Sequence, residues 1–234
     1  MKVEKKIKNL EKIWTFKNKS VADNFESHVN KSVPFYKLAH KHTIDISNFF
    51  LNKGSICYDL GCSTGSLLRE LQKKYSKKNL CLKGLDDSSE MIKVAKRKSN
   101  NKIEFTKSSL ENFKFKKNDL IFSLYTLQFV SPSKRQKIYN NIYKSLNQSG
   151  GFILFEKIRS PNSKFQDIMN FLYFDYKYSQ GLTKKEILNK ENLLRGVLEP
   201  FTDKDNIIFL KKAGFKKIMT IFHYLNFKGY LAIK

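Results

Sequence analysis

Cysteine is scarce. Only Cys57, Cys62 and Cys81 occur in 234 residues. They show neither paired ligand spacing nor a disulfide framework, so a reduced, cytoplasmic protein is expected. Histidine is almost as rare. His28, His40, His42 and His223 pair with no Cys, Ser or acid in a nucleophile arrangement, and none has zinc spacing. The common hydrolytic triads are thereby excluded, and no metal site is expected. No apolar run approaches the ~20 residues needed to cross a bilayer. Residues Met1 to Lys12 are charged throughout and offer no apolar stretch for a secretory leader. Acids number 21 against 45 bases, leaving a net charge of +24, yet only 5 of those bases are arginine. Phosphate and base readers usually recruit the planar fork of Arg. The lysines are also spread along the whole chain, among much Asn, Ile and Phe, a profile that drift towards A and T in the coding sequence produces by itself. A solvated lysine surface is therefore expected. RNA contact is allowed but not required, and no membrane partner is implied.

What is present centres on Ser55-Ile56-Cys57-Tyr58-Asp59-Leu60-Gly61-Cys62-Ser63-Thr64-Gly65-Ser66. It reads as a short buried strand, a glycine turn and a helix start. Gly61 and Gly65 permit close approaches that a Cβ would block. Ser63 and Thr64 are suited to cap the helix that continues through Leu67, Leu68 and Leu71. A strand feeding a glycine turn at a helix N-terminus makes a ligand crevice. A dinucleotide fingerprint wants its second glycine where Ser63 stands, and Asp59 is ill placed for a pyrophosphate. An acid there suits a ligand with an amino group and a sulfonium. Asp86 ends the next strand, 25 residues after Gly61. An acid at that point can take both hydroxyls of a ribose.

Strands and helices alternate along the chain. Residues 1–20 are expected to form a basic arm anchored by Trp14-Thr15-Phe16, and residues 21–234 a single domain. Helices are expected over 21–51, broken at Pro34. Strands follow at Leu80–Leu85, Ile103–Phe105 and Leu120–Leu124, with a helix from Ser88 to Lys98 between the first two. A helix from Ser131 to Leu146, a turn at Gln148–Gly151 and a strand over Gly151–Phe155 come next. Residues 156–200 break the alternation and are read as a helical cap over the site. There the stripe Phe165–Met169–Leu172–Tyr176 is expected in the core. A helix over Asp203–Ala213 closes at Gly214, and Phe215–Tyr224 and Phe227–Ile233 pair as an edge hairpin. The fold class is therefore α/β, a Rossmann-like, doubly wound, seven-stranded sheet.

The segment Asp59-Leu60-Gly61-Cys62-Ser63-Thr64-Gly65, followed by Asp86, resembles motif I and the ribose acid of class I S-adenosyl-L-methionine (SAM) methyltransferases. Further segments sharpen the resemblance. Trp14-Thr15-Phe16, Ser32-Val33-Pro34-Phe35-Tyr36, Thr126-Leu127-Gln128-Phe129, Glu156-Lys157 and Lys211-Lys212-Ala213-Gly214-Phe215 stand in the order found in the carboxy-S-adenosyl-L-methionine (carboxy-SAM) synthases, over about residues 14 to 234. That resemblance implies a homodimeric enzyme that makes carboxy-SAM from SAM and prephenate for wobble-uridine modification of tRNA. It places Tyr36, Gly61, Cys62, Ser63, Asp86 and Asp87 around the cofactor, where the motif I resemblance adds Asp59 and Gly65, with Ser109 and Leu110 near the adenine and Leu124 at the end of a strand. At Ser109 the family has an acid, and at Leu124 an Asn. Its carboxylate-binding Arg falls at Glu191, whose charge would repel a carboxylate. Lys190 is adjacent but about 100° away round a helix. The first functional reading is therefore methyl transfer from SAM to a small acceptor, with Tyr36, Tyr125, Phe174 and Tyr176 as candidate walls and Tyr36, Tyr125 and Tyr176 as candidate catalytic groups. Carboxy-SAM synthesis is the alternative, and a SAM-binding RNA-interaction module the third reading.

Overall fold

The structure is a computed structural model, and it describes residues 15–234. Trp14 and most of the expected basic arm lie outside the described residues. The chain enters through α1 (Lys19–Asp23), α2 (Phe25–Ser32) and α3 (Tyr36–Ser47). The alternating body runs β1 (Ile56–Leu60), α4 (Ser66–Lys74), β2 (Cys81–Asp86), α5 (Ser89–Lys98), β3 (Ile103–Lys107), β4 (Asn118–Leu124), α6 (Pro132–Ser145) and β5 (Leu146–Lys157). Then come α7 (Ser163–Ser179), α8 (Lys184–Leu194), α9 (Asp203–Ala213), β6 (Lys217–Tyr224) and β7 (Phe227–Ile233).

One seven-stranded sheet has the order β3-β2-β1-β4-β5-β7-β6. Strands β1 to β5 pair in parallel, whereas β7 runs antiparallel to both β5 and β6. Both faces are covered, which explains why the strands read as nearly continuous apolar runs. Strand pleating splits each strand between two cores. Cys57, Leu120, Phe122, Ile153 and Phe155 pack towards α4, with Leu67, Leu68 and Leu71. Tyr58, Leu60, Ile121, Phe152 and Leu154 pack towards α6 and α9, with Ile138, Tyr139 and Leu210. Strand order reverses between β1 and β4, and open α/β sheets bind ligands beyond the strand ends at such a point.

Three local expectations are corrected. Ser63 and Thr64 do not cap α4. Its N-cap is Gly65 in the left-handed region, and the Thr64 hydroxyl instead donates to Glu26 Oε1 at 2.7 Å. The turn expected at Gln148–Gly151 is absorbed into β5, which starts at Leu146 and pairs with β4 through a register shift between Asn118 and Leu120. The stripe on α7 is not core: Phe165 and Leu172 are exposed, and the buried residue of that helix is Lys177. Residues four apart share a helix face, so Tyr173 and Lys177 form the inward side.

Candidate active site

The cavity lies at the β1/β4 reversal and has a volume of about 320 Å³. Its floor comes from the glycine turn. Gly61 has φ +69°, and a Cβ there would collide with the Thr126 side chain. This close approach ties the Asp-Leu-Gly segment to the Thr-Leu-Gln-Phe segment. The Gly61 and Cys62 amides donate to the Leu85 carbonyl at 2.7 and 2.9 Å, which locks the turn onto β2. Asp86 then accepts from the Ser63 amide at 2.9 Å through one oxygen and from the Ser88 amide at 2.9 Å through the other.

Two buried carboxylates face this space. Burial pushes Asp59 up to about 7, and the charge of Asp86 adds to the rise. Burial likewise raises Asp86 to about 6, against the opposing pull of its two amide donors. Asp59 has no hydrogen-bond or ion-pair partner among the described residues, and a cationic ligand group would ionise and satisfy it. The Tyr125 hydroxyl is also buried and unpartnered among the described residues. Tyr36 lies beside it, with ring centroids 6.3 Å apart, and burial raises both phenols well above their usual range. An acid for an ammonium, an acid for hydroxyls and aromatic walls fit the chemistry of SAM.

Most of the expected residues line this cavity: Tyr36, Asp59, Gly61, Cys62, Ser63, Asp86, Asp87, Ser109, Leu110, Leu124, Tyr125 and Lys190. Asp87 sits at the rim, exposed and 3.7 Å from Lys17. Four expectations are corrected. Gly65 is not part of the wall; a Cβ there would meet the Phe105 ring at 2.6 Å, so its role is packing. Tyr176 is turned away, against Tyr224 at 6.4 Å, and neither it nor Phe174 lines the cavity. Glu191 points elsewhere too, where it accepts from the buried Lys177 at 2.8 Å.

Lys190 is the cap residue that enters. Its ammonium donates to His28 Nε2 at 2.5 Å and to Ser32 Oγ at 3.2 Å. Burial lowers it to about 7, helped by Lys177 and Lys157. Burial, with the charge of Lys190, lowers His28 to about 4, so its ring is a neutral acceptor. His28, Ser32, Lys157 and Tyr173 also line the cavity and were not singled out as site residues. The i, i+4 pair Tyr173–Lys177 was their available signal: a lysine amid aromatics marks the face that meets polar groups. His40 is buried against Tyr36, with ring centroids 4.3 Å apart.

The fold and this site define a SAM-dependent transferase of the class I methyltransferase type. Residues 57–150 match the family model described as a methyltransferase domain. Human N-acetylserotonin methyltransferase, solved with SAM, superposes with a TM-score of 0.63 at 16% identity, covering 94% of this chain and 57% of that one. A plantazolicin methyltransferase superposes at 0.65 and 18% identity, covering 98% of both chains. Sequence likeness narrows the class. The carboxy-S-adenosyl-L-methionine synthase of Staphylococcus epidermidis is 41% identical over 222 residues, 94% of this chain and 97% of its own. That of Nautilia profundicola is 41% identical over 230 residues, 97% of each. The chain belongs to the carboxy-S-adenosyl-L-methionine synthase family.

Proposed function

We propose that the protein converts SAM and prephenate into carboxy-SAM. The observation that carries this reading is the orientation of α8: Lys190 faces the donor cavity, and Glu191 faces away towards Lys177. The repulsion expected from an acid in place of the family's arginine is thereby removed, and the cavity holds instead an amine that an incoming carboxylate would keep protonated. Asp59 would hold the donor's ammonium and Asp86 its ribose hydroxyls, with Ser109 and Leu110 beside the adenine. SAM itself supplies the sulfonium-activated methyl group. The protein's contribution is to align donor and acceptor and to keep the reacting carbon away from water. Tyr36 and Tyr125, both raised and neutral, are hydrogen-bonding walls for that space.

Incubation with SAM and prephenate, followed by mass spectrometry, tests the reading. A SAM heavier by one CO₂ is expected. Methyl transfer from SAM to a small acceptor is the second reading, favoured by the loss of the family's Arg at position 191. Demethylated SAM with no carboxylated product would select it. Under the first reading the product serves tRNA wobble-uridine modification in the cytoplasm, with RNA not required for the step itself. A homodimer is part of the same proposal. Its support is the exposed apolar side of α7, where Phe165, Ile168, Phe171 and Leu172 stand in solvent. Sedimentation at micromolar concentration tests it, and a monomer there would remove the dimer from the proposal.

A further inference from the structure

Behind the donor cavity lies a second chamber of about 470 Å³, sharing with it the wall formed by Lys157, Tyr173 and Lys190. Its charge is unbalanced. Lys157, Arg159, Lys177, Lys190 and Arg195 line it, against Glu186 and Glu191. Both acids are already engaged, Glu191 by Lys177 and Glu186 by the Thr183 cap of α8. Lys190 is held by His28 and Ser32. Lys157 differs from these. Its ammonium rests over the Tyr173 ring, 4.7 Å from the centroid, and no carboxylate or other hydrogen-bond acceptor meets it among the described residues. Burial lowers it to about 8, and the neighbouring charge of Lys177 adds to the drop. A cation so placed is stabilised by an incoming anion.

Arg159 follows two residues along the same extended segment, where its amide donates to the Phe201 carbonyl at 2.8 Å and its Nε to the Pro200 carbonyl at 3.0 Å. Residues i and i+2 of an extended chain point the same way, about 6.6 Å apart along it. Two cations side by side on one wall suit two carboxylates carried close together on one small acid better than a single carboxylate.

We infer that this second chamber is a diacid subsite, in which Lys157 holds the carboxylate nearest the donor and Arg159 the distal one. The inference rests on the proposed function for the identity of the acid, but not for the existence of the subsite. Lys157 is then a specificity-determining residue at the junction of the two chambers. A monoacid would use only one of the two cations and bind more weakly.

The test uses the full chain loaded with S-adenosylhomocysteine and titrated calorimetrically with benzylmalonate, an unreactive diacid, and with phenylacetate, its monoacid counterpart. The diacid is expected to bind at least tenfold more tightly, with an affinity that falls as NaCl rises. Lys157→Met is expected to weaken the diacid tenfold or more, and Lys157→Arg to restore it to within a few-fold. In turnover, Lys157→Met is expected to raise the KM for prephenate more than it lowers kcat. Equal diacid binding by wild type and Lys157→Met would overturn the subsite, as would equal affinity for the two acids. Failure of the wild type to make carboxy-SAM would sink the functional reading alone, because the calorimetry does not depend on turnover.

Discussion

Asp86 joins the glycine turn to the second strand and is the acid expected to take ribose hydroxyls. Asp86→Ala removes both that acceptor and the partner of two amides, so SAM binding should vanish in calorimetry. Unchanged affinity would displace the site. Asp59 gives a pH signature. Its folded-state value of about 7 lies above its ordinary 3.8. Between those values the native protein binds more protons than the unfolded chain, so the ligand-free protein loses stability as pH rises through that window. An ammonium ligand prefers the ionised form, so SAM affinity should rise between about pH 5.5 and 7.5 and then level off. Asp86, raised to about 6, adds to the lower part of that rise. Asp59→Asn should bind weakly and flatten the upper part; an unchanged profile would exclude Asp59 as its source. Glu191→Arg should leave SAM affinity alone but cost about 1–3 kcal/mol of stability, since it strips the buried Lys177 of its carboxylate. Urea unfolding would read that loss, and a gain in carboxy-SAM affinity instead would show that position 191 does reach the ligand. The residues of the cavity floor were legible because each sits in a short motif whose spacing is set by backbone geometry. Glu191 was misplaced because sequence counting cannot give a helix its rotation about its own axis.

At the scale of elements, the strands were readable because both faces of the sheet are covered, which makes runs such as Gly151–Phe155 apolar throughout. The turn expected before that run was misjudged. Gly150 and Gly151 pack closely against Asn147 and Phe50 rather than reversing the chain, so their small size is used for proximity and not for a bend. Helix α7 misled for a different reason. Its aromatic residues are apolar enough for a core, yet the face that turns inward is chosen by Tyr173, whose hydroxyl donates to the Ser32 carbonyl at 2.7 Å. Phe171, the most exposed aromatic of that helix, should therefore tolerate change to Ser with less than about 0.5 kcal/mol lost in the monomer, at protein concentrations too low for dimerisation. Leu210→Ala in the wholly buried face of α9 should lose about 2–5 kcal/mol. Comparable losses in urea unfolding would mean that α7 is buried against a partner. Thr202 and Asp205 form a capping box at the start of α9, and Thr202→Ala should cost about 1 kcal/mol.

For the whole molecule, the net charge of +24 opposes compactness through self-repulsion. Adding salt to about 0.15 M shortens the screening length to about 8 Å, so Tm should rise with moderate NaCl; a flat or falling Tm would show that the ion pairs outweigh the repulsion. SAM present at a hundred times its Kd should add about 2.7 kcal/mol of stability. The layout of the cavity along the chain has a consequence for how such enzymes change their chemistry. Most of the cavity wall comes from the stretch between Phe16 and Ser131, its basic side comes from Lys157, Tyr173, Lys190, Leu194 and Leu198, and Phe227 of β7 completes it. On the proposed function, recognition of the activated methyl donor and choice of its reaction partner would be written in successive, separable passages of one polypeptide. A graft exchanging residues 157–200 with those of a relative would be expected to change the acid accepted while preserving the donor bound.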